Sequence, residues 1–411
     1  MFIFIMEHFI TGLDIGTVAV KTAVAEIGKD GRLTVISLSR HPSLGVRKGV
    51  IAYIDDAQAS ATAALEKARG VAKAALRNVY INVGGTNTIL RQSRGTVVVS
   101  RADSEIYQDD IERVKKAAQD VVRVKNRMVV HTITKDFIVD GMPNVSNPTG
   151  LTGNKLEVDS FVIDTFSHDI RNLEKAVEKA GPVINGFFFN PLSVARAVLT
   201  KNQRDLGVAV IDIGAGTTGL AVYEEGRLLH AAVLPIGSAN ITNDLAIGMK
   251  VPIEAAEALK LSFGYAVARD IPLKDKLDLK KVDQKSKGSV SRRFFSEIIE
   301  VRMQEIFELI NNELKSIDKE KNLPAGVVLT GGGAKLPGVV ELAKRELKLP
   351  VQLGIVGPGT LPCLNDEITE KAEDPEYANC LGLVLSGQDL MRETRVRFDN
   401  PFSKILSYFL P

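Results

Sequence analysis

The chain contains few of the residues that build disulfides or metal centres. Its 411 residues include only two cysteines and five histidines. Cys363 and Cys380 form no C-x-x-C pair, and two cysteines are too few to staple a protein of this size. The histidines are scattered and show no metal-ligand spacing. This residue usage favours a reducing compartment and excludes the disulfide-rich secreted class.

Long apolar runs are also missing. Segment 1–10 is apolar but short, Glu7 and His8 interrupt it, and it lacks a basic start and a small-residue cleavage site. We therefore expect no secretory signal peptide. Residues 2–5 are interpreted either as an extension of the first strand or as residues upstream of a start at Met6. No segment reaches the roughly 20 apolar residues that span a bilayer, so any membrane contact is expected to be peripheral.

Excess charge of one sign is absent as well. The chain has 52 Lys and Arg against 50 Asp and Glu, a net charge of +2. This balance does not favour nucleic acid as a partner. Segment 274–293 is locally rich in Lys and Arg, and a solvated loop explains it better than a nucleic-acid interface. The length suits two lobes or several subdomains rather than one core.

The most informative pattern is an internal repeat. Asp14 begins the sequence Asp-Ile-Gly-Thr, and Asp212 begins Asp-Ile-Gly-Ala, about 200 residues later. Both segments continue without a gap to an Ala-Val pair and then to Gly-Arg-Leu, at Gly31 and Gly226. A β-rich run precedes each one. Each copy is therefore predicted to be a strand, a glycine-containing turn, a second strand and a second turn.

Each copy has the composition of a phosphate clamp. Small turn residues let backbone N–H groups approach an anion, and the Asp at the strand end can hold a hydrated Mg²⁺. One such turn is usually only a turn, but two in matching context predict duplicated lobes that close on one nucleotide, as in the actin, Hsp70 and hexokinase superfamily. The predicted phosphate-binding residues are Gly16 and Thr17 in clamp 1, and Gly214, Ala215, Gly216, Thr217 and Thr218 in clamp 2.

A third glycine-rich turn follows a predicted strand at 326–330. It contains Gly331, Gly332, Gly333 and Lys335, and a helix is predicted at 339–347. In the superfamily this turn lies against the adenosine, although by itself it is also explained as a tight strand-to-helix connection. The chain has no Walker sequence, and the glycine spacing does not match the dinucleotide-binding fingerprint.

With these elements in place, the chain from about residue 9 onward resembles the FtsA family of bacterial cell-division proteins. The discriminating segment lies between the clamps and resembles the family's own subdomain 1C. Its matching residues recur in order: His131, Asp140-Gly141, Asn147-Pro148, Gly150-Leu151, Gly153 and Leu156-Glu157-Val158. The implied fold is α/β: an actin-like ATPase fold of duplicated ribonuclease-H-like lobes with an inserted subdomain 1C.

The resemblance also implies a division of the chain into subdomains. The expected segments are 1A at 9–87, 165–204 and 357–387; 1C at 88–164; 2A at 205–243 and 316–356; 2B at 244–315; a linker at 388–399; and an amphipathic helix at 400–411. Within subdomain 1C, strands are predicted at 97–99 and 161–164, and an amphipathic helix at 109–124.

ATP and Mg²⁺ are the implied cofactors. Asp14 and Asp212 would face Mg²⁺ and its waters from opposite lobes. Lys21 is expected to contact a phosphate, the alternative being an outward-facing lysine on a strand. Glu257 and Lys260 lie one helical turn apart and would reach the ribose, unless they form a surface ion pair.

Two departures from the family's relatives bear on hydrolysis. Gly219 in clamp 2 and Asn190 in the first interlobe connection stand where many relatives carry side chains able to orient water. Hydrolysis needs a positioned water as well as stabilisation of the leaving phosphate. We therefore expect ATP binding with at most slow ATPase activity, and no catalytic residue is assigned.

Residues 400–411 are predicted to form an amphipathic helix. Asn400 suits an N-cap and Pro401 the first helical position. Five apolar residues share one face of this helix: Phe402, Ile405, Leu406, Phe409 and Leu410. The pattern alone favours docking onto the protein's own body. The family resemblance instead implies a membrane-targeting helix, preceded by a linker whose arginines suit an anionic leaflet.

The resemblance implies a filament-forming, ATP-binding adaptor at the cytoplasmic face of the cell membrane, at the division site. Its implied partners are FtsZ, further copies of the chain in an actin-like protofilament, the membrane surface and later division proteins, without nucleic acid. A pilus-assembly protein resembling PilM is one alternative, and the apolar C-terminal helix disfavours it. A small-molecule kinase of the same superfamily is another, and the subdomain 1C match argues against it.

Overall fold

The computed structural model of the chain describes residues 8–278 and 288–399, with side chains up to residue 393. Its strands form two five-stranded sheets, one four-stranded sheet and two short ribbons. The strands are β1 (Phe9–Ile15), β2 (Ala19–Ile27), β3 (Leu33–Pro42), β4 (Val46–Arg47), β5 (Val50–Ile51), β6 (Val79–Val83), β7 (Ile89–Val98), β8 (Arg127–Val139), β9 (Met142–Val145), β10 (Lys155–Phe166), β11 (Ile184–Phe189), β12 (Val208–Ile213), β13 (Thr218–Glu224), β14 (Arg227–Leu234), β15 (Lys276–Asp278), β16 (Ser289–Ser291), β17 (Val327–Thr330) and β18 (Val351–Leu353).

The α-helices cover the faces of these sheets. They are α1 (Ile54–Val71), α2 (Gln108–Val121), α3 (Ser167–Glu178), α4 (Asn190–Val198), α5 (Lys201–Leu206), α6 (Ser238–Met249), α7 (Ile253–Phe263), α8 (Arg292–Lys315), α9 (Val339–Leu347), α10 (Asp366–Ala372) and α11 (Ala378–Asp399). The helix predicted at 339–347 is observed as α9.

The two five-stranded sheets share one plan. In lobe I the antiparallel meander β1-β2-β3 is extended through β1 by the parallel strands β6 and β11. In lobe II the meander β12-β13-β14 is extended through β12 by β17 and β18 in the same way. The first strand of each meander is buried along nearly its whole length, because helices cover both faces of the sheet. The predicted duplication of α/β lobes is therefore confirmed.

A pair of crossing helices joins the lobes. Helix α11 packs on β1 of lobe I and against α4, which packs on β12 and β13 of lobe II. The helices cross at Gly382, where an added Cβ would lie 2.0 Å from the carbonyl oxygen of Ser193. A larger residue at this crossing would push the helices apart, so Gly382 sets the separation of α4 and α11.

An inserted unit lies between β6 and α3 in the sequence. Its sheet has the order β7-β10-β8-β9, and α2 packs on the sheet. Apolar residues from α2, β8 and β10 form a separate core that includes Val114, Phe137 and Leu156. Residues 97–98 of the strand predicted at 97–99 are the end of β7, and the strand predicted at 161–164 lies within β10. The helix predicted at 109–124 is observed at 108–121.

His131 lies at the junction of this unit with lobe I. Its Nε2 accepts a hydrogen bond from the backbone N–H of Phe189 at 3.0 Å, and its ring centroid is 5.4 Å from that of Phe188. Burial lowers the pKa of His131 to about 4. The ring therefore stays neutral in the folded protein over a pH range in which the unfolded chain, with a pKa near 6.5, takes up a proton.

We expect His131→Gln to flatten the dependence of stability on pH. The wild-type free energy of unfolding should fall as pH drops from about 6.5 toward 4, and His131 should account for about 2 kcal/mol of the loss at pH 5. Glutamine keeps a hydrogen-bond acceptor but does not titrate. Urea unfolding of both proteins at pH 7.5 and pH 5 measures the difference, and equal losses in the two proteins would contradict this role.

The segment 388–399, predicted to be a linker, is helical. Helix α11 runs unbroken from Ala378 to Asp399. Gln388 is buried and donates a hydrogen bond to the carbonyl of Gly31 at 2.8 Å, and Asp389 pairs with Arg196 at 2.6 Å. At the start of the predicted linker, the polar and charged residues lie on the polar side of a packed helix. The helix predicted at 400–411 lies outside the described residues.

None of the helices in the described part of the chain is long and apolar enough to cross a membrane.

Candidate functional site

Three turns meet where the two lobes face each other. The clamp 1 turn joins β1 to β2, and the clamp 2 turn joins β12 to β13. A Cβ added at Gly216 of clamp 2 would lie 2.8 Å from Oγ1 of Thr17 in clamp 1. The third turn follows β17, and a Cβ at Gly331 would lie 2.2 Å from Oδ1 of Asp212. The structure thus brings together the three glycine-rich segments that the sequence analysis singled out.

The two clamps have the same backbone geometry. The N–H of Gly16 donates to the carbonyl of Ala19 at 3.1 Å, and the N–H of Gly214 donates to the carbonyl of Thr217 at 2.9 Å. A Cβ at either glycine would lie within 2.9 Å of that same carbonyl oxygen. Glycine is therefore required to close each turn, and the closed turns bring the side chain of Thr17 in clamp 1 against the backbone of Gly216 in clamp 2.

Asp14, at the end of β1, is held on both carboxylate oxygens. Asn379 of α11 donates from Nδ2 to Oδ1 at 2.9 Å, and Nζ of Lys21 lies 2.9 Å from Oδ2. Lys21 also donates to the backbone carbonyl of Glu376 at 2.6 Å. Asp14 is buried, and burial of an ion pair is tolerated when its remaining hydrogen-bonding capacity is satisfied in this way.

Lys21 is neither an outward-facing strand residue nor a free cation in the cleft. Its side chain is only 14% exposed and contacts two oxygens. Burial lowers the pKa of Lys21, but the charge and the hydrogen bond of Asp14, together with contributions from Cys380 and Asp212, outweigh this and hold the pKa above its usual value. The lysine that the sequence predicts as a phosphate contact is therefore charged and already bound to Asp14.

Asp212 occupies the equivalent position in lobe II but has different surroundings. In clamp 1 the residue opposite Asp14 on the neighbouring strand is Lys21, whereas in clamp 2 the residue opposite Asp212 is Gly219. Burial raises the pKa of Asp212 to about 6, with Lys21 lowering it and Asp14 raising it further. Of these two carboxylates, Asp212 is the one whose negative charge is not balanced by a paired cation.

Residues from α6 and α7 line the side of clamp 2. The N–H of Ser238, at the start of α6, donates to the carbonyl of Gly214 at 2.9 Å. Lys260 is buried, and its Nζ lies 2.6 Å from Glu257 and 2.8 Å from Oγ1 of Thr242. Glu257 and Lys260 thus form an ion pair, but one in which Lys260 is buried rather than on the surface, and their contact with a ribose stays a prediction. The pair lies near the cleft, because Nζ of Lys260 is also 3.3 Å from the carbonyl of Ser238.

The third turn is fastened to the last interlobe connection. Gly331 has a φ of +84°, and its N–H donates to the carbonyl of Pro375 at 3.2 Å. Lys335 forms an ion pair with Asp374. A Cβ at Gly332 would meet nothing within 4 Å. The turn therefore has a fixed base and an open side.

Two buried amide oxygens at the site have no hydrogen-bond partner among the residues that the structure describes. They are Oδ1 of Asn190, at the start of α4, and Oδ1 of Asn379. Buried polar atoms are nearly always satisfied, and exceptions commonly mark places where water, an ion or a ligand binds. The side chain of Pro191, next to Asn190, lies 3.3 Å from a Cβ built at Gly219. The two positions that the sequence analysis connects with hydrolysis, Gly219 and Asn190, are therefore joined through Pro191.

Sequence reasoning missed two residues that hold clamp 1. Asn379 is 365 positions from Asp14, and no local pattern signals such a contact. Asn82 accepts a hydrogen bond from the backbone N–H of Ile15 at 2.7 Å through its Oδ1. Asn82 is a buried polar residue within the apolar strand β6, and this interruption of an apolar run was the available signal.

The chain matches two family models. The model for the cell division protein FtsA matches residues 209–382, and the model for the SHS2 domain inserted in FtsA matches residues 85–164. The second match covers the unit built from β7 to β10, which is the segment that the sequence analysis found most discriminating.

Solved structures with low sequence identity show the same fold. The structure of the PilM-PilN type IV pilus biogenesis complex aligns with a TM-score of 0.67 at 18% identity, covering 92% of this chain and 98% of that one. MreB5 of Spiroplasma citri bound to ADP aligns with a TM-score of 0.52 at 12% identity, covering 94% and 97%. These likenesses confirm the actin-like fold.

Curated relatives share higher identity over most of their length. The chain is 34% identical to the cell division protein FtsA of Pseudomonas aeruginosa over 378 residues, which cover 92% of this chain and 89% of the relative. It is 34% identical to that of Bacillus subtilis, covering 90% and 82%, and 30% identical to that of Escherichia coli K12, covering 93% and 91%. The chain is a member of the FtsA family of cell division proteins.

Proposed function

We propose that this protein binds ATP with Mg²⁺ between its lobes and serves in cell division as a membrane-attached adaptor for FtsZ that assembles into filaments. Nucleotide binding is supported above all by the meeting of two equivalent clamps, at Thr17 and Gly216. Each clamp lies beside an aspartate at the end of a strand. MreB5 of Spiroplasma citri, which shares the fold, is described with ADP and with AMPPNP bound.

The residues of the cleft fit a nucleotide with a cation. The backbone of Gly16–Thr17 and of Gly214–Thr217 would hold the phosphates, and the open side of Gly332 would face the adenosine. Mg²⁺ binds proteins through one or two carboxylates and takes its other ligands from phosphates and water. Asp212 suits this role, because a cation would offset the burial that raises its pKa. When bound, Mg²⁺ would neutralise charge on the phosphates.

The two aspartates would then have unequal tasks. Asp14 is fixed by Lys21 and Asn379 and would supply an oriented negative charge to the waters around the cation. The carboxylate of Asp212 makes no hydrogen bond or ion pair within the described part of the chain and is free to approach. The described residues also contain no group of three or more His, Cys, Asp or Glu side chains that could hold a metal ion alone, so the cation site would depend on the phosphates.

Membrane attachment is assigned to residues 400–411 on the pattern of their sequence. Five partly inserted apolar side chains would contribute very roughly 5–8 kcal/mol, and ordering about ten residues costs a similar amount. One copy should therefore bind a membrane only weakly. Several copies carried on one filament would bind far more strongly through their effective concentration, which would couple attachment to assembly.

Sedimentation with anionic vesicles tests this coupling. We expect binding of the full-length protein with Mg²⁺ and ATP to rise more steeply than in proportion to protein concentration, because assembly multiplies the number of tails per particle. Binding that stays proportional to concentration under conditions where filaments are seen would contradict avidity. The PilM-like alternative is less well supported, since the likeness to that complex is one of fold at 18% identity.

Hydrolysis of ATP is expected to be slow. Gly219 faces Pro191 and carries no side chain, and Asn190 has a neutral amide in place of an acid, so neither residue supplies a base for an attacking water. The steady-state rate should lie well below the roughly 10 s⁻¹ typical of enzymes. Phosphate release measured with purified protein checks this, and a rate near that typical value would show that a water-orienting group has been overlooked.

A further inference from the structure

A small hairpin of lobe I reaches the point where the clamps meet. Strands β4 and β5 are joined by Lys48 and Gly49. A Cβ added at Gly216 of clamp 2 would lie 3.1 Å from both the backbone N and the Cα of Lys48, and 2.8 Å from Oγ1 of Thr17. The hairpin tip therefore lies against clamp 2 from the side of lobe I, next to clamp 1.

The backbone at this tip is unusual for the residue it carries. Lys48 has a φ of +47° and Gly49 a φ of +73°. Positive φ at both central residues of a two-residue hairpin defines a type I′ turn, for which Asn, Asp and Gly are strongly preferred. A lysine with positive φ is uncommon, and such outliers cluster at functional sites. Lys48 thus stands where asparagine would suit the turn better.

The hairpin tip is also held in place by the turn that follows β6. A Cβ at Gly49 would lie 2.3 Å from the carbonyl oxygen of Gly84, and one at Gly85 would lie 2.5 Å from Cγ1 of Val50. The hairpin therefore packs closely on the turn that follows β6. Because the backbone is fixed, the position of Lys48 relative to the clamps does not depend on a flexible loop.

Lys48 differs from the other lysines near the cleft in its charge environment. Lys21, Lys260 and Lys335 each form an ion pair with a carboxylate. The side chain of Lys48 is exposed and forms no ion pair with the residues that the structure describes. An ammonium group on a long flexible stem, placed where two phosphate clamps meet, can accept an anion as its partner.

We propose that Lys48 binds the terminal phosphate of ATP and lets the site distinguish ATP from ADP. This inference rests on the proposed binding of nucleotide between the clamps. Lys21 is occupied by Asp14, so Lys48 supplies the cation that a γ-phosphate requires from lobe I. The hairpin tip also contacts clamp 2. The contact between Lys48 and the γ-phosphate therefore links the presence of that phosphate to the approach of the two lobes.

The test compares Lys48→Asn with the wild type in calorimetric titrations with Mg²⁺ and either a non-hydrolysable ATP analogue or ADP. Loss of a charge-assisted contact should weaken binding of the analogue by about tenfold or more, whereas ADP affinity should change by less than about twofold. Lys48→Arg should retain most of the preference for the analogue. The matched control is Lys348→Asn, which removes an exposed lysine of similar φ (+54°) at the end of α9 and should change neither affinity.

A measurement of thermal stability distinguishes loss of the phosphate contact from distortion of the hairpin. Because asparagine suits a type I′ turn, Lys48→Asn should melt no lower than the wild type in the absence of nucleotide. A variant that keeps the wild-type ratio of analogue to ADP affinity would overturn the role of Lys48 alone. Equal loss of both affinities would also overturn it. A wild-type protein that binds neither ligand would overturn both this inference and the proposed nucleotide site.

Discussion

Removal of residues 401–411 is expected to abolish sedimentation with anionic vesicles while leaving nucleotide binding unchanged. The deleted residues follow α11 in the sequence, and the packed part of α11 contacts lobe I at Gln388. We therefore expect the core that carries the clamps to be stable without them. Sedimentation and calorimetry on the same two preparations measure both properties. A truncated protein that still pellets with vesicles, or that no longer binds ATP, would show that the tail docks onto the protein itself.

Point variants within the tail sharpen this prediction. Ile405→Asp together with Phe409→Asp places two charges on the apolar face of the predicted helix. Each charge costs on the order of 2–3 kcal/mol in the membrane, against a net attachment near zero for a single copy, so binding should be lost. Ser403→Asp together with Ser407→Asp adds the same charge to the opposite face. We expect this control to reduce vesicle binding only modestly, through repulsion from the anionic lipid.

Asp212→Ala is expected to weaken binding of ATP with Mg²⁺ by tenfold or more while changing AMP affinity little. Asp212 would face the cation, and AMP lacks the β- and γ-phosphates that hold the cation. Titration of each nucleotide with and without Mg²⁺ measures this difference. A uniform loss across all nucleotides would point to a general distortion of the cleft instead.

The same substitution should make the nucleotide-free protein more stable. Burial raises the pKa of Asp212 to about 6, so at neutral pH the ionised carboxylate opposes folding by up to about 3 kcal/mol. This penalty applies in full above pH 6 and disappears as pH falls toward 4. Asp14→Ala should have the opposite effect, because it leaves Lys21 buried without its carboxylate. Thermal melts without nucleotide therefore distinguish the two aspartates.

The parts of this structure that the sequence predicted are those encoded locally. Each clamp is a continuous segment, so the matching order of residues from Asp14 and from Asp212 was enough to predict two lobes of one plan. Helix α9 was predicted with its observed bounds because glycine and proline mark its start. The structure confirmed the predicted fold, and the similarity to curated relatives confirmed the family resemblance.

The parts that sequence could not predict depend on contacts between distant residues. Asn379 reaches Asp14 across 365 positions, and only the packing of α11 on β1 brings them together. The start of the predicted linker is part of α11, because a helix with one polar side has a composition like that of a linker. The pairing of Lys21 with Asp14 depends on the register of β1 and β2, which its sequence spacing alone did not fix.

The hairpin tip illustrates a different limit. An Asn-Gly pair at 48–49 would have predicted a type I′ turn from the sequence, but Lys-Gly gives no such signal. The positive φ of Lys48 and the position of the tip between the turn after β6 and clamp 2 are seen only in the folded structure. Residues that break a local rule in this way tend to mark functional sites.

A crystal structure of the full-length protein with Mg²⁺ and a non-hydrolysable ATP analogue tests the central claim most directly. We predict that the triphosphate lies between the backbone of Gly16–Thr17 and that of Gly214–Thr217, with Asp212 facing the cation and the adenosine beside Gly332. A nucleotide bound outside the cleft, or a cleft that stays without nucleotide at saturating concentrations of the analogue and Mg²⁺, would contradict it.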